Sequence, residues 1–191
     1  MKFNPQETLH NKKYIKHYRQ GLLVDTYPLL LYFIGEFDEK NGTNFVEKLQ
    51  NKSNYYTKQD YLFLKQFIQV IQFKKLLITP HIFHEFYKHA STVLDKQQFY
   101  AFFDYNKDML ELLNEESIHK NKLMSHPYFK KLEIGELSLY MLKEDETFCA
   151  ILTDDERKTL PLFEGDKKVL LILVNDAISH MMNGPIPNQK L

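Results

Sequence analysis

Acidic side chains stand where two short apolar segments of this sequence end. Residues 22–24 are followed by Asp25, and residues 150–153 are followed by Asp154 and Asp155. Short apolar runs of this kind are typical of strands buried in a parallel sheet. Because ligands of an open parallel sheet bind beyond the carboxyl ends of its strands, these three carboxylates stand where chemistry is expected.

Two more acids lie near the starts of predicted helices. Glu85 is about one and a half turns into a helix that is expected to begin after Pro80, and Glu136 directly follows Gly135 at the start of another helix. Two strand ends and two helix starts could therefore bring five carboxylates to one acidic pocket. The alternative roles of such acids are helix capping and the solvation of an exposed face.

Clustered carboxylates point to a bound cation. Carboxylates within a few ångström of each other repel and lose hydration, so some of them must bind protons unless a cation is present. Mg²⁺ and Mn²⁺ prefer hard oxygen ligands and need neither histidine nor cysteine. A metal ion held in this way can stabilise a phosphodiester oxygen and hold an attacking water. The acids therefore suggest metal-dependent hydrolysis of a phosphodiester.

The elements that must position these acids alternate along the chain. Four apolar runs are predicted as buried strands, at residues 21–24, 76–79, 148–153 and 169–174. Amphipathic helical patterns lie between them, one over residues 57–73 and one after Asp95. Thr57 and Asp95 are the expected N-caps of these two helices. Strands that alternate with helices predict an α/β fold with a central parallel sheet.

Four motifs occur in the order that the PIN domain family shows. They are LLVDT (22–26), ITPHIFHEF (78–86), IGELSL (134–139) and ILTDDER (151–157). The first resembles the family's apolar strand ending in Asp-Thr or Asp-Ser, and the second resembles its Thr-Pro-x-x-x-x-Glu helix start. The third resembles its Gly-Asp or Gly-Glu helix start, and the fourth its Thr-x-Asp or Thr-Asp-Asp strand end. The chain thus resembles a PIN domain from residue 20 to about residue 175.

This resemblance implies a three-layer α/β/α sandwich with a central parallel sheet and extra helical insertions. It also implies an endoribonuclease that cleaves RNA with Mg²⁺ or Mn²⁺. By position it assigns four catalytic, metal-binding acids: Asp25, Glu85, Glu136 and Asp155. Asp154 would be a neighbouring or alternative ligand, and Thr26 and Thr153 would support the site by hydrogen bonds. The family includes toxins of toxin–antitoxin pairs and many dimers, so an antitoxin, another protein partner and a second copy of the chain join RNA as expected partners.

Length and charge suit one domain with basic and acidic ends. The chain has 191 residues, 43% of them apolar, and equal numbers of basic and acidic residues, 25 of each. Residues 1–19 are predicted as a basic arm, 20–182 as the nuclease domain with helical insertions near 38–73 and 95–131, and 183–191 as a flexible tail. The arm carries Lys12, Lys13, Lys16 and Arg19. These side chains either contact RNA phosphates or line a solvated helix.

Composition excludes several other classes of protein. The chain has no GxxxxGK and no GxGxxG motif, so nucleotide kinases and dinucleotide oxidoreductases are disfavoured. Its single cysteine, Cys149, excludes a disulfide framework and suits a reducing compartment, so a cytoplasmic location is expected. No apolar run approaches the roughly 20 residues that span a bilayer, and no membrane partner is expected. His81 and His84 lack the HExxH order of zinc peptidases and are expected to be solvent-facing or supporting residues.

A second interpretation keeps the fold and drops catalysis. In it, the chain is an inactive PIN-like module that binds RNA or a protein partner through its basic arm and its helical insertions. Metal dependence separates the two interpretations, because only the nuclease requires the acids to hold a cation.

Overall fold

A five-stranded parallel sheet forms the centre of the fold and confirms the predicted α/β class. The computed structural model of the chain describes residues 1–19, 21–51, 54–145, 149–155 and 167–183. The strands in these ranges are β1 (Leu22–Val24), β2 (Gln50–Asn51), β3 (Asn54–Tyr55), β4 (Leu76–Ile78), β5 (Asn114–Glu115), β6 (Cys149–Thr153) and β7 (Val169–Leu173). The parallel sheet has the order β5-β4-β1-β6-β7, and β2 and β3 form a separate antiparallel pair.

Helices cover the sheet. Those in the described ranges are α1 (Lys12–Tyr18), α2 (Thr26–Asn41), α3 (Lys58–Val70), α4 (Pro80–Val93), α5 (Lys96–Glu111), α6 (Lys120–Ser125), α7 (Ile134–Asp145) and α8 (Val174–Asn183). Both predicted N-caps are confirmed: Thr57 forms a capping box with Asp60 at α3, and Asp95 forms one with Gln98 at α5. None of the helices in the described ranges combines the length and the apolar character that crossing a bilayer requires.

The order of the strands creates a crevice beside β1. Leu22 pairs with Leu76 of β4 on one side and with Ala150 of β6 on the other. The chain builds outward from β1 through β4 to β5, and then returns to add β6 and β7 on the opposite side. The direction of building therefore reverses between β1 and β6. Ligands of open α/β sheets bind at such a reversal, beyond the carboxyl ends of the strands.

Aromatic packing fixes the helices that begin at this edge. The rings of Phe33 in α2 and Phe86 in α4 are fully buried, with centroids 5.6 Å apart. Between α4 and α7, the buried hydroxyls of Thr79 and Ser138 lie 2.9 Å apart and share a hydrogen bond. Helices α2, α4 and α7 are therefore held against one another by buried contacts.

The helical segment predicted near residues 95–131 contains α5 and α6, but it also contains the strand β5, which the sequence did not predict. Asn114 of β5 pairs with Leu77 and extends the central sheet. Asn114 and Glu115 are exposed at the edge of the sheet, so they carry none of the apolar pattern by which buried strands are recognised. β5 is recognised as a strand only by its backbone pairing with β4.

The predicted basic arm is packed on the domain. The Phe3 N–H donates to the Leu171 carbonyl of β7 at 2.8 Å, and the Phe3 side chain is buried. Tyr14 and Tyr18 of α1 are also buried, so α1 contributes to the core of the domain. Of the predicted tail, residues 184–191 lie outside the described residues, and Asn183 is the last residue of α8.

Candidate functional site

One pocket of about 350 Å³ is lined by all five acids that the sequence singled out. These acids are Asp25, Glu85, Glu136, Asp154 and Asp155. They come from the ends of β1 and β6, from the second turn of α4 and from the first turn of α7. The pocket therefore lies at the carboxyl edge of the sheet, where the strand order reverses.

Asp25 connects β1 to α2. It is the N-cap of α2, and its Oδ1 accepts a hydrogen bond from the Thr26 N–H at 2.8 Å. Its Oδ2 accepts a hydrogen bond from the Thr153 hydroxyl at 2.7 Å. Asp25 is therefore both a helix cap and a lining residue of the pocket, so the capping role does not compete with a functional one.

Thr153 ties the end of β6 to the end of β1. Its side chain is fully buried, and its oxygen accepts a hydrogen bond from the Asp155 N–H at 3.2 Å while its hydroxyl donates to Asp25. The two acidic strand ends thus share one threonine. This contact joins residues 128 positions apart along the chain.

Glu85 lies between the start of α2 and the start of α7. The buried Thr26 hydroxyl donates to Glu85 Oε2 at 2.8 Å. On the other side, a Cβ added at Gly135 would lie 3.0 Å from Glu85 Oε1. Glycine therefore permits the close approach of the carboxylate to the backbone of α7. A negative charge at the N-terminus of a helix is also favoured by the helix dipole.

Glu136 has a second role beside lining the pocket. Its Oε2 accepts a hydrogen bond from the Glu133 N–H at 3.1 Å, which is how the third residue of a helix completes a capping arrangement. Helix capping, the alternative that the sequence left open for these acids, therefore applies to Glu136 as well as to Asp25.

Tyr56 holds Asp154, a contact that sequence reasoning missed. The Tyr56 side chain is buried, and its hydroxyl donates to Asp154 Oδ2 at 2.5 Å. Burial raises the pKa of Tyr56, and the nearby Asp154 raises it further, so the hydroxyl keeps its proton and acts as a donor. The two residues are 98 positions apart, and no local pattern indicates that they meet.

The pocket makes ionisation of Asp25 costly. Burial raises the pKa of Asp25 from 3.8 to about 6, although the hydrogen bonds from Thr153 and Thr26 lower it. The neighbouring carboxylates of Asp154 and Glu85 raise the same pKa. This is the behaviour expected of clustered carboxylates, which bind a proton near neutral pH when no cation offsets their charge.

Four residues of the pocket wall were not predicted: Tyr27, Lys88, His89 and Glu133. Lys88 is the only lysine or arginine among the described residues that line the pocket. Lys88 and His89 follow Glu85 by three and four residues, and Tyr27 follows Asp25 by two. Helical spacing from Glu85 could have indicated Lys88 and His89.

The basic residues predicted to contact RNA lie elsewhere. Arg19 comes three residues before β1, and His17 of α1 contacts the backbone of Lys167, two residues before β7, at 3.1 Å. This end of α1 is therefore near the amino edge of the sheet, opposite the acids. Lys13 pairs with Glu7 at 2.5 Å. Lys12, Lys13, Lys16 and Arg19 are all absent from the described lining of the pocket, and their contact with RNA stays a prediction.

A larger cavity of about 540 Å³ lies between the sheet and helices α6 and α7. Its described lining combines apolar residues such as Leu77 and Met141 with His119, Lys122 and His126, and it contains none of the predicted acids. Size alone would favour this cavity. The convergence of carboxylates from four elements makes the smaller pocket the candidate site.

The acidic pocket suits a hard cation by its donor chemistry. Carboxylate oxygens are the ligands that Mg²⁺ and Mn²⁺ prefer, and the raised pKa of Asp25 reflects charge that a cation would offset. The side chains do not stand ready as a ligand set, however. In the part of the chain that the structure describes, no group of three or more His, Cys, Asp or Glu side chains is arranged to hold a metal ion.

Comparisons with known proteins found no relative of this chain. No family model matches it, and neither a curated protein nor a solved structure is similar to it. The resemblance to PIN domains therefore depends on the four sequence motifs alone.

Proposed function

We propose that the protein is a PIN-like endoribonuclease that hydrolyses RNA with Mg²⁺ or Mn²⁺. One observation carries the proposal: five acids from four separate elements line one pocket at the reversal of a parallel sheet. Spacing along the chain cannot produce this convergence by itself. The resemblance to PIN domains also implies a toxin role, an antitoxin partner and a homodimer, and these are part of the same proposal.

In this proposal, Asp25, Glu85, Glu136 and Asp155 hold one or two cations, with Asp154 as a neighbouring or alternative ligand. The chemistry that such an ion supplies when bound is the stabilisation of negative charge on a phosphodiester and on the attacking water. The hydrolysis joins the water oxygen to phosphorus and breaks the bond from phosphorus to one ribose oxygen.

The chain's own contacts orient these acids. Thr26 and Thr153 donate hydrogen bonds to Glu85 and Asp25, and Tyr56 donates one to Asp154. Each donor hydroxyl belongs to a buried side chain. These three acids are therefore oriented by the protein itself, which reduces the cost of reorganisation when a ligand binds. Asp25 must lose its proton before it can contribute a full negative charge.

The first experiment is a thermal melt with and without millimolar Mn²⁺. A ligand that binds only the native state raises the unfolding free energy by about 2.7 kcal/mol at a hundredfold excess over its dissociation constant. We expect a rise in wild type and no rise in Asp25→Asn. Asp95→Asn is the matched control, because Asp95 is also an N-cap but lies outside the described lining of the pocket. It is expected to respond to Mn²⁺ as wild type does.

Cleavage of a labelled single-stranded RNA completes the test. We expect Mn²⁺-dependent cleavage by wild type and by Asp95→Asn, and a loss of about a hundredfold or more in Asp25→Asn, since electrostatic groups at reacting centres have effects of this size. Equal Mn²⁺ shifts in wild type and Asp25→Asn would contradict the assignment of the metal to this pocket. An absence of cleavage by wild type would contradict the nuclease.

An inactive binding module is the second candidate, and one observation favours it: Glu136 already caps its own helix through the hydrogen bond from the Glu133 N–H. In this case RNA affinity persists in a chelator and falls when the charges of α1 are removed by substituting Lys12, Lys13, Lys16 and Arg19. The nuclease instead requires Asp25 and Mn²⁺.

A further inference from the structure

The wall of the acidic pocket carries two rings and a lysine that the proposed hydrolysis does not use. The rings of Tyr27 and His89 are half-buried, with centroids 5.2 Å apart and planes inclined by 43°. Lys88 is exposed and lies next to His89 on α4. All three residues line the same pocket as Asp25 and Glu85.

The charges of this wall differ from those of the rest of the pocket. Glu85, Glu133, Glu136 and the strand-end acids line the pocket with negative charge, and Lys88 brings the one lysine or arginine charge among its described lining residues. Burial lowers the pKa of His89, which the Glu85 carboxylate partly offsets, so the ring is a neutral aromatic surface near pH 7. A polyanion therefore meets least repulsion along Lys88.

Position relates these rings to the acids. Tyr27 comes two residues after Asp25, and His89 comes one helical turn after Glu85. Both rings line the same pocket as Asp25 and Glu85, so a base held against them would lie beside the acids.

Aromatic rings beside a cation are the groups with which proteins hold unpaired strands. Bases of a single strand stack on aromatic side chains, while lysine or arginine contacts the phosphates. Bases in a duplex are already stacked and paired, so they cannot reach a ring pair inside a pocket. A wall of this composition therefore favours an unpaired strand over a duplex.

We propose that Tyr27, His89 and Lys88 form a subsite for single-stranded RNA, with a nucleobase against the two rings and a phosphate at Lys88. The inference rests on the proposed nuclease function and names its substrate as the unpaired strand. It also assigns RNA contact to α4 and the start of α2, at the carboxyl edge, in place of α1 at the amino edge.

The test compares variants of this wall with a control on the same helix. The variants are Tyr27→Leu, Lys88→Ala and His89→Ala, and Tyr27→Phe keeps the ring. The control is the double variant His84→Ala/Tyr87→Leu, because both residues are exposed on α4 and neither is among the described lining residues. Cleavage of a short unstructured RNA in Mn²⁺ gives kcat and KM, and the same RNA annealed to its complement gives the strand preference.

Tyr27→Leu and His89→Ala are each expected to raise KM by about tenfold with little change in kcat, since stacking on one ring contributes about this much to affinity. Lys88→Ala is expected to raise KM as well, because it removes the phosphate contact. Tyr27→Phe and the control are expected to stay within about twofold of wild type, and wild type is expected to prefer the single strand by about tenfold or more. Fluorescence anisotropy with the same RNA gives a binding readout that does not depend on turnover. Lys88→Ala and His89→Ala decide the question if Tyr27→Leu does not fold.

The possible failures are distinguishable. Wild-type cleavage with unchanged KM and strand preference in all the wall variants would overturn the subsite and leave the nuclease intact. An equal rise of KM in the control would also overturn it, because the effect would then be general to α4. A wild type that neither binds Mn²⁺ nor cleaves either RNA would overturn the proposed function and this inference with it.

Discussion

Two acidic clusters of this protein show opposite ways of holding carboxylates in place. One is the pocket at the carboxyl edge of the sheet. The other, which we name the α2–α3 cluster, consists of Glu36, Glu39, Tyr61 and Lys65. Both clusters use a tyrosine hydroxyl, but only the second places a lysine between its acids.

Lys65 neutralises the α2–α3 cluster. Its Nζ lies 2.8 Å from Glu36 Oε1 and 2.7 Å from Glu39 Oε2, and the Tyr61 hydroxyl lies 2.9 and 2.7 Å from the same two oxygens. The hydrogen bond from Lys65 lowers the pKa of Glu39. Burial lowers the pKa of Lys65, but its hydrogen bonds to Glu36 and Glu39 outweigh burial and raise it. The charged forms of Lys65 and Glu39 are therefore favoured by their mutual hydrogen bond.

The acidic pocket raises the pKa of its acid Asp25, whereas the α2–α3 cluster lowers that of Glu39. Asp25 and Glu85 accept hydrogen bonds from the hydroxyls of Thr153 and Thr26, and burial raises the pKa of Asp25 to about 6. Hydroxyl donors orient a carboxylate without cancelling its charge. The α2–α3 cluster therefore stabilises the fold, whereas the acidic pocket keeps negative charge that lowers the free energy of unfolding. Such a cost is typical of functional sites.

The largest expected effect is that of a methyl group at Gly35. An alanine Cβ would lie 2.0 Å from Cδ2 of the buried Tyr61 ring, so Gly35→Ala must displace that ring and the cluster with it. We expect the free energy of unfolding to fall by about 3 kcal/mol, at the upper end of overpacking effects, in urea unfolding.

Gly135→Ala is the matched change at the pocket. The atoms nearest to its Cβ would be those at the end of the flexible Glu85 side chain, with Oε1 at 3.0 Å. We expect the free energy of unfolding to change by less than about 1 kcal/mol, while the Mn²⁺-induced rise in melting midpoint becomes smaller. Equal losses of stability in the two variants would remove the distinction between the clusters.

The second prediction is an opposite pH dependence of the two clusters. The folded-state pKa of Asp25, about 6, lies above its ordinary value of 3.8. Between these values the native state keeps a proton that the unfolded chain has lost, so its contribution to stability falls as pH rises from about 4 to about 6. As pH rises over this range, the free energy of unfolding of Asp25→Asn should therefore increase by about 2 kcal/mol relative to that of wild type. Urea unfolding without metal measures this difference.

Glu39→Gln should show the reverse. The pKa of Glu39 is lowered, so its contribution to stability is present above the ordinary glutamate value of 4.5 and is lost as pH falls. Glu39→Gln should have a lower free energy of unfolding than wild type at pH 7, and this difference should be smaller near pH 3. A flat difference between Asp25→Asn and wild type would show that the pocket does not strain this acid.

The smallest expected effect is that of removing one tyrosine hydroxyl from each cluster. Tyr56→Phe deletes the hydrogen bond to Asp154 and should lower the free energy of unfolding by about 1 kcal/mol. It should also weaken Mn²⁺ binding by about tenfold, a usual effect of residues that orient metal ligands. Tyr61→Phe should reduce stability without changing Mn²⁺ binding, because Lys65 still holds Glu36 and Glu39. Thermal melts and Mn²⁺ titration measure both, and an unchanged Mn²⁺ affinity in Tyr56→Phe would argue against its positioning role.

Local interactions explain what could be predicted about the fold. Thr57 and Asp95 bond to backbone groups three residues away, so their capping roles are visible in a short window of sequence. The apolar runs of β1, β4, β6 and β7 are recognisable because buried strands need apolar side chains on both faces. The exposed edge strand β5 has no such requirement, and its segment was predicted as helical.

The features of the candidate site also divide into local ones and ones that depend on distant segments. The sequence by itself determined which acids end strands and begin helices, because strand ends and helix starts are local features. Only the tertiary structure decided that Tyr56 meets Asp154 and that the end of β6 lies beside the end of β1, where Thr153 bonds to Asp25. The physical reason is that strand order in a parallel sheet is set by packing and backbone pairing between distant segments, and strand order determines which side chains share a pocket.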